Sequence, residues 1–157
     1  MAIDAYLQID GITGESTDPD HKGWIDVLSY SYSISQLTAA PVANVSAGAT
    51  SAVAHQEFVI TKYVDSASPK VYEACAAGKR FSKAILDVMR TSGKTPVKFM
   101  QIQMQQVIIS SISASAASGK DMPTESVALS YGSVQWTYTQ QNPDGSQGGS
   151  VTGAGSS

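Results

Sequence analysis

The chain has few of the residues that most often carry chemistry or covalent stability: of its 157 residues, one is cysteine and two are histidine. A single thiol, Cys75, excludes an internal disulfide framework and a zinc site built from several cysteines. His21 and His55 lie far apart and show neither the H-x-x-x-H nor the H-E-x-x-H spacing of zinc enzymes. No G-x-S-x-G elbow and no phosphate-binding glycine loop is present. The sequence therefore predicts no catalytic residues, no metal and no cofactor.

Charge is also scarce. Asp, Glu, Lys and Arg make up 15% of the residues, against roughly 25% in typical soluble domains. The formal net charge of −3 argues against a nucleic-acid partner, because a protein that follows phosphates needs a basic stripe. Serine, alanine, glycine and glutamine take the surface positions that lysine and glutamate usually fill. Since so few charges give little repulsion between copies, we expect much of the surface to contact other copies of the chain.

Long apolar runs are missing as well. No stretch approaches the ~20 residues that span a bilayer, and the first residues have neither the basic nor the apolar region of a signal peptide. We therefore expect a soluble chain that is made in the cytoplasm and has no stable membrane insertion. If it is exported, the route should not require a cleaved signal peptide.

The sequence does contain alternation of apolar and polar residues at period two, which indicates β-strands. Two long stretches change phase in the middle, as strands with bulges do, and Gly132 stands at one of these changes. The predicted strands cover residues 2–10, 24–36, 57–64, 81–91, 96–113 and 124–140. Long bent strands with few helices predict a mainly β fold, an antiparallel barrel of two packed sheets.

One short helix is predicted, over residues 66–78. Ser68 is the candidate cap, Pro69 suits the first turn, and Gly78 suits a left-handed exit. Its inward face is predicted to hold Val71, Tyr72, Cys75 and Ala76. A helix of this length is too short to be stable alone in water, so it should pack on a sheet.

The strand predicted over residues 24–36 has an unusual pattern. Large side chains at Leu28, Tyr30, Tyr32 and Ile34 alternate with Ser29, Ser31, Ser33 and Ser35. The large side chains should face the core, which leaves the serines on the other side of the sheet. Exposed strand positions normally hold Thr, Lys, Glu or Arg. The run of serines therefore indicates a surface that has to be small and neutral.

Two further segments lack any period. Residues 37–53 are small and uncharged, and a segment of this length is usually functional or disordered. We predict an extended inter-subunit or ring-stacking loop, with candidate contact residues Leu37, Pro41, Val42, Val45 and Val53. Residues 142–157 are rich in glycine, serine and glutamine, which predicts a flexible tail after a domain of residues 1–141.

Several blocks resemble the Hcp family (haemolysin-coregulated protein), and they occur in the same order. They are residues 2–9, 24–32, 58–65, 75–79 and 129–131. The resemblance covers roughly residues 1–141. It implies a structural protein without enzymatic activity, namely the inner-tube subunit of the bacterial type VI secretion system.

The resemblance implies a barrel of two sheets with one helix, six copies in a ring, and rings stacked into a hollow tube. The implied partners are further copies of the chain, the sheath, VgrG-type spike and baseplate proteins, and small effectors carried in the lumen. The tube would be secreted into the medium or a target cell, a role that serves virulence. Within such a ring, Ser29, Ser31 and Ser33 are candidates for lining the lumen.

Two other interpretations stay open from the sequence. One is a phage-tail-tube-like protein of another contractile system. The other is a monomeric carbohydrate-binding β-sandwich that uses Trp24 or Trp136 as a sugar platform, since aromatic side chains are common in such platforms.

Overall fold

The computed structural model describes residues 3–37, 52–91, 95–119 and 122–156. These ranges contain one helix, α1 (Ser68–Ala77), and eleven strands. The strands are β1 (Ile3–Ile9), β2 (Ile25–Val27), β3 (Ser29–Ser31), β4 (Ile34–Leu37), β5 (Ala52–His55), β6 (Phe58–Tyr63), β7 (Arg80–Arg90), β8 (Val97–Ser115), β9 (Thr124–Ser130), β10 (Ser133–Gln141) and β11 (Gln147–Ser156).

Nine of these strands form one sheet in the order β2-β1-β7-β8-β9-β6-β3, with β10 attached to β8 and β11 attached to β10. Strands β4 and β5 form a separate two-stranded ribbon. Every pairing described is antiparallel. The predicted mainly β, antiparallel fold with one short helix is confirmed.

Strand β8 joins two halves of the sheet. Its first part pairs with β7 and β10, whereas its last part pairs with β9. The partner changes around Gln106, whose φ is 56°. Gly132 lies opposite, and a Cβ there would collide with the Gln106 side chain. The predicted phase changes along β8 are confirmed by its register shifts. The single strand predicted over residues 124–140 is wrong, because Gly132 lies between the separate strands β9 and β10.

The hydrophobic core lies on the inner side of both halves. Leu7, Leu86, Met104 and Leu129 are fully buried there, and each buried side chain of this size contributes about 1.5–3 kcal/mol. The helix covers part of this core with Val71 and Ala74. The core therefore draws on strands from both halves and holds them together.

The single strand predicted over residues 24–36 is wrong, because it is interrupted at Leu28 and again after β3. The chain pairs with β1 before Leu28 and with β6 after it. Side chains at such a change of partner do not keep the alternation, and Leu28 and Ile34 are 50% and 42% exposed. Tyr30 and Tyr32 do pack on the core, where both rings stack on Phe58.

The ends of the helix were predicted in part. Gly78 has φ 61° and its N–H donates to the carbonyl of Cys75, which confirms the left-handed exit. The predicted cap is wrong, since the N-cap residue is Ala67 and makes no side-chain cap. Ser68 is instead the first helical residue, and its hydroxyl donates to Glu125.

The inward face of the helix differs from the prediction. The buried residues are Ser68, Val71 and Ala74, at a spacing of three. Cys75 is partly buried, whereas Tyr72 is 38% exposed, and Ala76 is exposed as well. The hydroxyl of Tyr72 is drawn toward a buried carboxylate, which places its ring at the edge of the interface rather than beneath it.

The flexible tail predicted for residues 142–157 is wrong over β11. This strand pairs with β10 from Ser133 opposite Ser156 to Gln141 opposite Gln147. A turn joins the two strands, in which the N–H of Asn142 donates to the carbonyl of Ser146 at 2.8 Å. Composition misled here because backbone hydrogen bonds, rather than burial of apolar side chains, hold β11 in place. The sheet therefore extends past the predicted domain end at residue 141.

Candidate functional site

The serines predicted to line a lumen, Ser29, Ser31 and Ser33, are all exposed. Strand register extends their surface across β6, β9 and the end of β8, because residues opposite one another project from the same face. One row contains Ser29, Thr61, Ser126 and Ser113. The next row contains Ser31, Val59, Ala128 and Ser111. We call these two rows, with Ser33, the serine face.

The serine face is small and neutral over its whole width. Its largest side chain is that of Val59, and no member carries a charge. Among its central residues Ala128 is buried, while Thr61 and Ser126 are half-buried. The arrangement offers hydroxyl groups and short side chains and nothing that could bind a charged or bulky partner strongly. The sequence predicted the β3 part of this surface; the other rows come from strands that only register brings together.

The charges of these strands lie on the opposite, core side. Lys62 and Glu125 are 0% and 1% exposed and form an ion pair. Nζ of Lys62 also contacts Oδ1 of Asp65 at 2.9 Å and Oγ of Ser68 at 3.1 Å. Glu125 further accepts hydrogen bonds from Ser68, at 2.7 Å, and from the hydroxyl of Tyr72. These five residues, which we call the lysine cluster, fix α1 to the sheet.

The hydrogen bonds of the lysine cluster set the acidity of its carboxyl group. Burial raises the pKa of Glu125, but hydrogen bonds from Lys62, Ser68 and Tyr72 outweigh it and leave the pKa below its ordinary value. Accepting these bonds favours the charged carboxylate. The same contact raises the pKa of Tyr72, because its hydroxyl donates to Glu125. The cluster therefore holds its charges in a fixed ion pair.

Sequence reasoning missed the lysine cluster, although a signal was present. Lys62 lies on the same face of β6 as Phe58 and Ile60, since alternate residues of a strand share a face, and both of those residues face the core. Glu125 has the same parity as Val127 and Leu129 in β9, which are buried as well. Two opposite charges at core positions of different strands indicate a buried pair.

A second buried cluster is centred on His21, which is 1% exposed. Its Nδ1 lies 2.6 Å from Oδ2 of Asp18 and its Nε2 lies 2.8 Å from Oδ2 of Asp87. Each ring nitrogen is therefore within hydrogen-bond distance of a carboxylate oxygen. The ring of Tyr6 stacks on the imidazole at 4.5 Å, and Trp24 packs against it edge-on. We call His21, Asp18 and Asp87 the histidine cluster.

The histidine cluster ties the loop between β1 and β2 to the sheet. The polar turn predicted around Pro19 is confirmed, as the N–H of His21 donates to the carbonyl of Asp18 at 3.0 Å. Asp87 is also contacted by Gln101, at 2.9 Å, and by Lys98, at 3.2 Å. His21 thus connects this loop to Asp87 on β7.

Strands β4 and β5 form the base of the predicted loop. Leu37 lies opposite Ala52, and Gln36 lies opposite Val53, so the backbones of two predicted contact residues are paired in this ribbon. The other three predicted contact residues lie outside the described residues; they are Pro41, Val42 and Val45. We call the ribbon with the residues between its strands, 34–55, the arm.

The base of the arm is fixed to the sheet through His55. Nδ1 of His55 lies 3.2 Å from the hydroxyl of Tyr131, and the two rings pack edge to face at 5.4 Å. Residue Gln56 then donates its N–H to the carbonyl of Ser33 at 3.0 Å. The arm therefore begins beside the Ser33 end of the serine face.

Over the described ranges, no group of three or more His, Cys, Asp and Glu side chains is placed to hold a metal ion. None of the helical residues that the structure describes belongs to a helix long and apolar enough to cross a membrane. The sheet with its neutral serine face, the two-stranded ribbon and the one short helix of the described residues define a mainly β, antiparallel protein.

Comparison with known proteins identifies the family. Residues 6–138 match the family described as "Type VI secretion system effector, Hcp". The chain is 34% identical over 149 residues to Protein hcp1 of Pseudomonas aeruginosa, covering 95% of this chain and 91% of that protein. The structure is similar to that of Hcp1 from Salmonella typhimurium, with a TM-score of 0.82 and 31% identity. The match covers 99% of this chain and 95% of that one. It is also similar to a structure described as a type six secretion system protein, with a TM-score of 0.86 and 29% identity. That match covers 98% of this chain and 93% of the other.

The chain belongs to the Hcp family, the secreted tube and effector proteins of the type VI secretion system. The resemblance found in the sequence is confirmed. The family is structural and not enzymatic, so the prediction of a structural protein is confirmed as well.

Proposed function

We propose that six copies of this chain close into a ring whose inner wall is the serine face, and that rings stack into the tube. The observation that carries this proposal is the pair of open strand edges that flank the serine face. Among the described residues, β3 pairs only with β6, and the part of β8 beyond Ile108 pairs only with β9. Such edges offer unpaired N–H and C=O groups to a further strand.

The two open edges lie on opposite sides of the same surface. The β8 edge of one copy can therefore meet the β3 edge of the next, and the serine face continues from copy to copy. Such a head-to-tail contact generates a closed ring when the rotation between copies fits. Burial of neutral flanks between copies also accounts for the low charge of the chain.

Within each copy, we infer that the sheet closes into the barrel of two packed sheets. The strand order ends at β2 and β3, which are separated in the chain only by Leu28. The N–H of Leu28 donates to the carbonyl of Thr61 in β6 at 2.7 Å. One continuous segment thus pairs with β1 at its start and with β6 at its end, which supports closure.

The ring places effectors against the serine face and leaves the outside for the sheath. Short neutral side chains let cargo of varied charge pass without strong binding to the wall. Family membership supports the remaining partners, VgrG-type spike and baseplate proteins at the tube end. It also supports synthesis in the cytoplasm and secretion to the medium or a target cell without signal-peptide cleavage.

Native mass spectrometry and negative-stain microscopy of the purified chain test this proposal. We expect a mass of six chains and annuli with a central hole. A stable single chain under all buffer conditions would contradict the ring and favour a monomeric binding module, for which glycan titration with Trp136→Ala is the check.

Deletion of residues 42–50 tests the arm. These residues lie in the uncharged segment that bridges subunits in our proposal, so the deletion should weaken assembly of rings or tubes. Size-exclusion chromatography and microscopy provide the readout. An unchanged oligomer with unchanged stacking would refute a bridging role, and the rest of the ring proposal would stand.

A further inference from the structure

Basic side chains are concentrated in α1 and at the start of β7. Residues 70–83 contain four of the ten Lys and Arg residues but only one of the thirteen acidic residues, which leaves six basic and twelve acidic residues elsewhere. The four basic residues are Lys70, Lys79, Arg80 and Lys83, and all are exposed. A chain with a formal net charge of −3 therefore carries a positively charged surface here.

A groove lies at this surface, between α1 and the turn that follows β1. It has a volume of about 190 Å³. Its floor is apolar, since Ile12, Ala74 and Phe81 line it and are at most 8% exposed. The exposed side chains of Lys70 and Lys79 also line it. We call these five residues the basic groove.

Both lysines of the basic groove are available to a partner. Nζ of Lys79 lies 5.2 Å from the centroid of the Phe81 ring, and none of the ion pairs within the described ranges involves Lys79. Nζ of Lys70 lies 3.3 Å from Oε2 of Glu73, but these two side chains are 69% and 70% exposed. Such an exposed pair is weak because water screens it. An acidic group of a partner can therefore contact Lys79 directly and compete with Glu73 for Lys70.

The basic groove lies away from the serine face. Lys62 and Glu125 project from the core side of β6 and β9 and contact Ser68 in the first turn of α1. Helix α1 therefore lies on the core side of these strands, and the serine face lies on their other side. In a ring whose inner wall is the serine face, the basic groove faces away from the lumen.

We propose that the basic groove binds an acidic segment of a protein outside the ring, which in the proposed function is the sheath. This inference rests on the proposed ring. Carboxylates of the segment contact Lys70 and Lys79, and an apolar side chain between them enters the groove above Phe81. The groove is smaller than the ~300–1,000 Å³ of most small-molecule sites, so it suits single side chains of a protein better than a whole small ligand. Charge complementarity of this kind selects partners and speeds their association.

Fluorescence anisotropy of a labelled peptide tests the contact. The probe is a short peptide with glutamates on both sides of a leucine, and the reference peptide has glutamine at each of those glutamates. We expect the purified chain to bind the glutamate peptide, and added salt to weaken this binding because it screens exposed charges. Serine in place of the leucine should weaken it too. Equally tight binding of the glutamine peptide, or of single-stranded DNA with the same charge, would overturn the inference.

Lys79→Glu should raise the Kd of the glutamate peptide about tenfold, because it places a like charge beside the bound carboxylates. The matched control is Lys22→Glu, which makes the same charge change at another exposed lysine and should leave the Kd within about twofold. If Lys79 only complements the negative end of α1, Lys79→Glu will lower the free energy of unfolding without changing the Kd. That result, or equal losses of affinity in both variants, contradicts the proposed contact.

Labelling of the assembled ring tests where the basic groove lies. Lys70→Cys in a Cys75→Ala background is biotinylated, and streptavidin should then decorate the outer edge of the annuli in negative stain. Annuli that exclude streptavidin would show that the groove is hidden, which refutes a partner outside the ring. Native mass spectrometry separates the two proposals. Rings whose peptide binding does not depend on Lys79 refute the groove contact alone, whereas a chain that forms no rings refutes the proposed function and this inference with it.

Discussion

The two halves of the sheet hold buried charge on opposite sides. In the half formed by β6 and β9, Lys62 and Glu125 lie on the core side and the exposed side is the serine face. In the half formed by β1, β7 and the first part of β8, Asp87 lies opposite Tyr6 and Gln101, on the side away from the core. There the loop carrying His21 covers the charge.

The two halves differ in whether a loop covers the side of the sheet that faces away from the core. Where the outer side of the sheet is covered by a loop, a charged residue can project outward and find its partners there. In the half formed by β6 and β9, the charges that fix the helix lie on the core side of the sheet. The side chains of Lys62 and Glu125 are fully buried. The side chains of Asp18, which contacts His21, and Lys98, which contacts Asp87, are 28% and 44% exposed.

Lys62→Met should have the largest effect. It leaves Glu125 buried without its ion-pair partner, and breaking a buried pair in this way costs about 3–5 kcal/mol. Urea unfolding followed by circular dichroism measures the free energy of unfolding. The control is Lys70→Met, which removes the exposed Lys70–Glu73 pair and should change that free energy by about 0–1 kcal/mol. If the two substitutions lowered the free energy of unfolding equally, the prediction that the buried pair matters more than the exposed pair would be contradicted.

His21→Ala should have a smaller and more local effect. Asp87 keeps Gln101 and Lys98 as partners, and Asp18 can be hydrated, so we expect a loss of about 1–3 kcal/mol. Hydrogen exchange resolves where stability is lost. Amides of residues 13–24 should exchange faster while those of β9 stay protected. Faster exchange of β9 to the same extent would show that the halves do not behave separately.

Acid should weaken the half with the lysine cluster. The pKa of Glu125 is lower in the folded protein than its ordinary value. The ionised Glu125 carboxylate therefore stabilises the fold fully above about pH 4.3, and this contribution to the free energy of unfolding is lost as pH falls through the folded pKa. Glu125→Gln should lower stability at neutral pH and flatten its dependence on pH in acid. Urea midpoints across a pH series provide the measurement, and an unchanged acid slope would contradict the assignment.

Asp26 on β2 gives the matching control with the opposite sign. Burial, together with Asp65 and Glu15, raises its pKa, so ionisation of Asp26 opposes folding as pH rises through its ordinary pKa. Asp26→Asn should therefore raise the urea midpoint slightly at neutral pH and leave it unchanged in strong acid. A lower midpoint at neutral pH would contradict this sign.

Ser31→Gln should change stability least, by about 0.5 kcal/mol or less, since exposed substitutions rarely do more. Rings should stay intact, and retention of cargo should fall because a long amide side chain projects into the proposed lumen. Effectors co-purifying with the tagged chain, quantified by mass spectrometry, give the readout. Gln135→Ser, an exposed position on the other half, is the control, and equal retention in both variants would contradict a lumen role for Ser31.

Local patterns in the sequence predicted the local features of the fold. The alternation of Ser29 and Ser31 identified an exposed face, and Gly132 and Gly78 marked a break and a helix end. Each of these signals depends on residues within a few positions. The partners of the serine face, such as Ser111 and Ser126, could not be found this way, because the register between distant strands decides which residues share a surface.

The parts that sequence reasoning missed depend on contacts between distant segments. Lys62 meets Glu125 across 63 positions and His21 meets Asp87 across 66. Strand β11 is held by backbone pairing with β10. Such pairing does not require apolar side chains, so the sequence of β11 shows no apolar pattern that would predict a strand. The face of α1 was misassigned for the same reason, since the sheet beneath it selects Ala74.

Strand β8 has a mechanical consequence. Its 19 residues run without interruption from one half of the sheet into the other, with the corner at Gln106. A load on the serine face is therefore carried along a covalent backbone into the opposite half, rather than across an interface that could slip. A subunit built in this way resists shear as one piece, so a stack of such subunits should yield between copies before any single copy deforms.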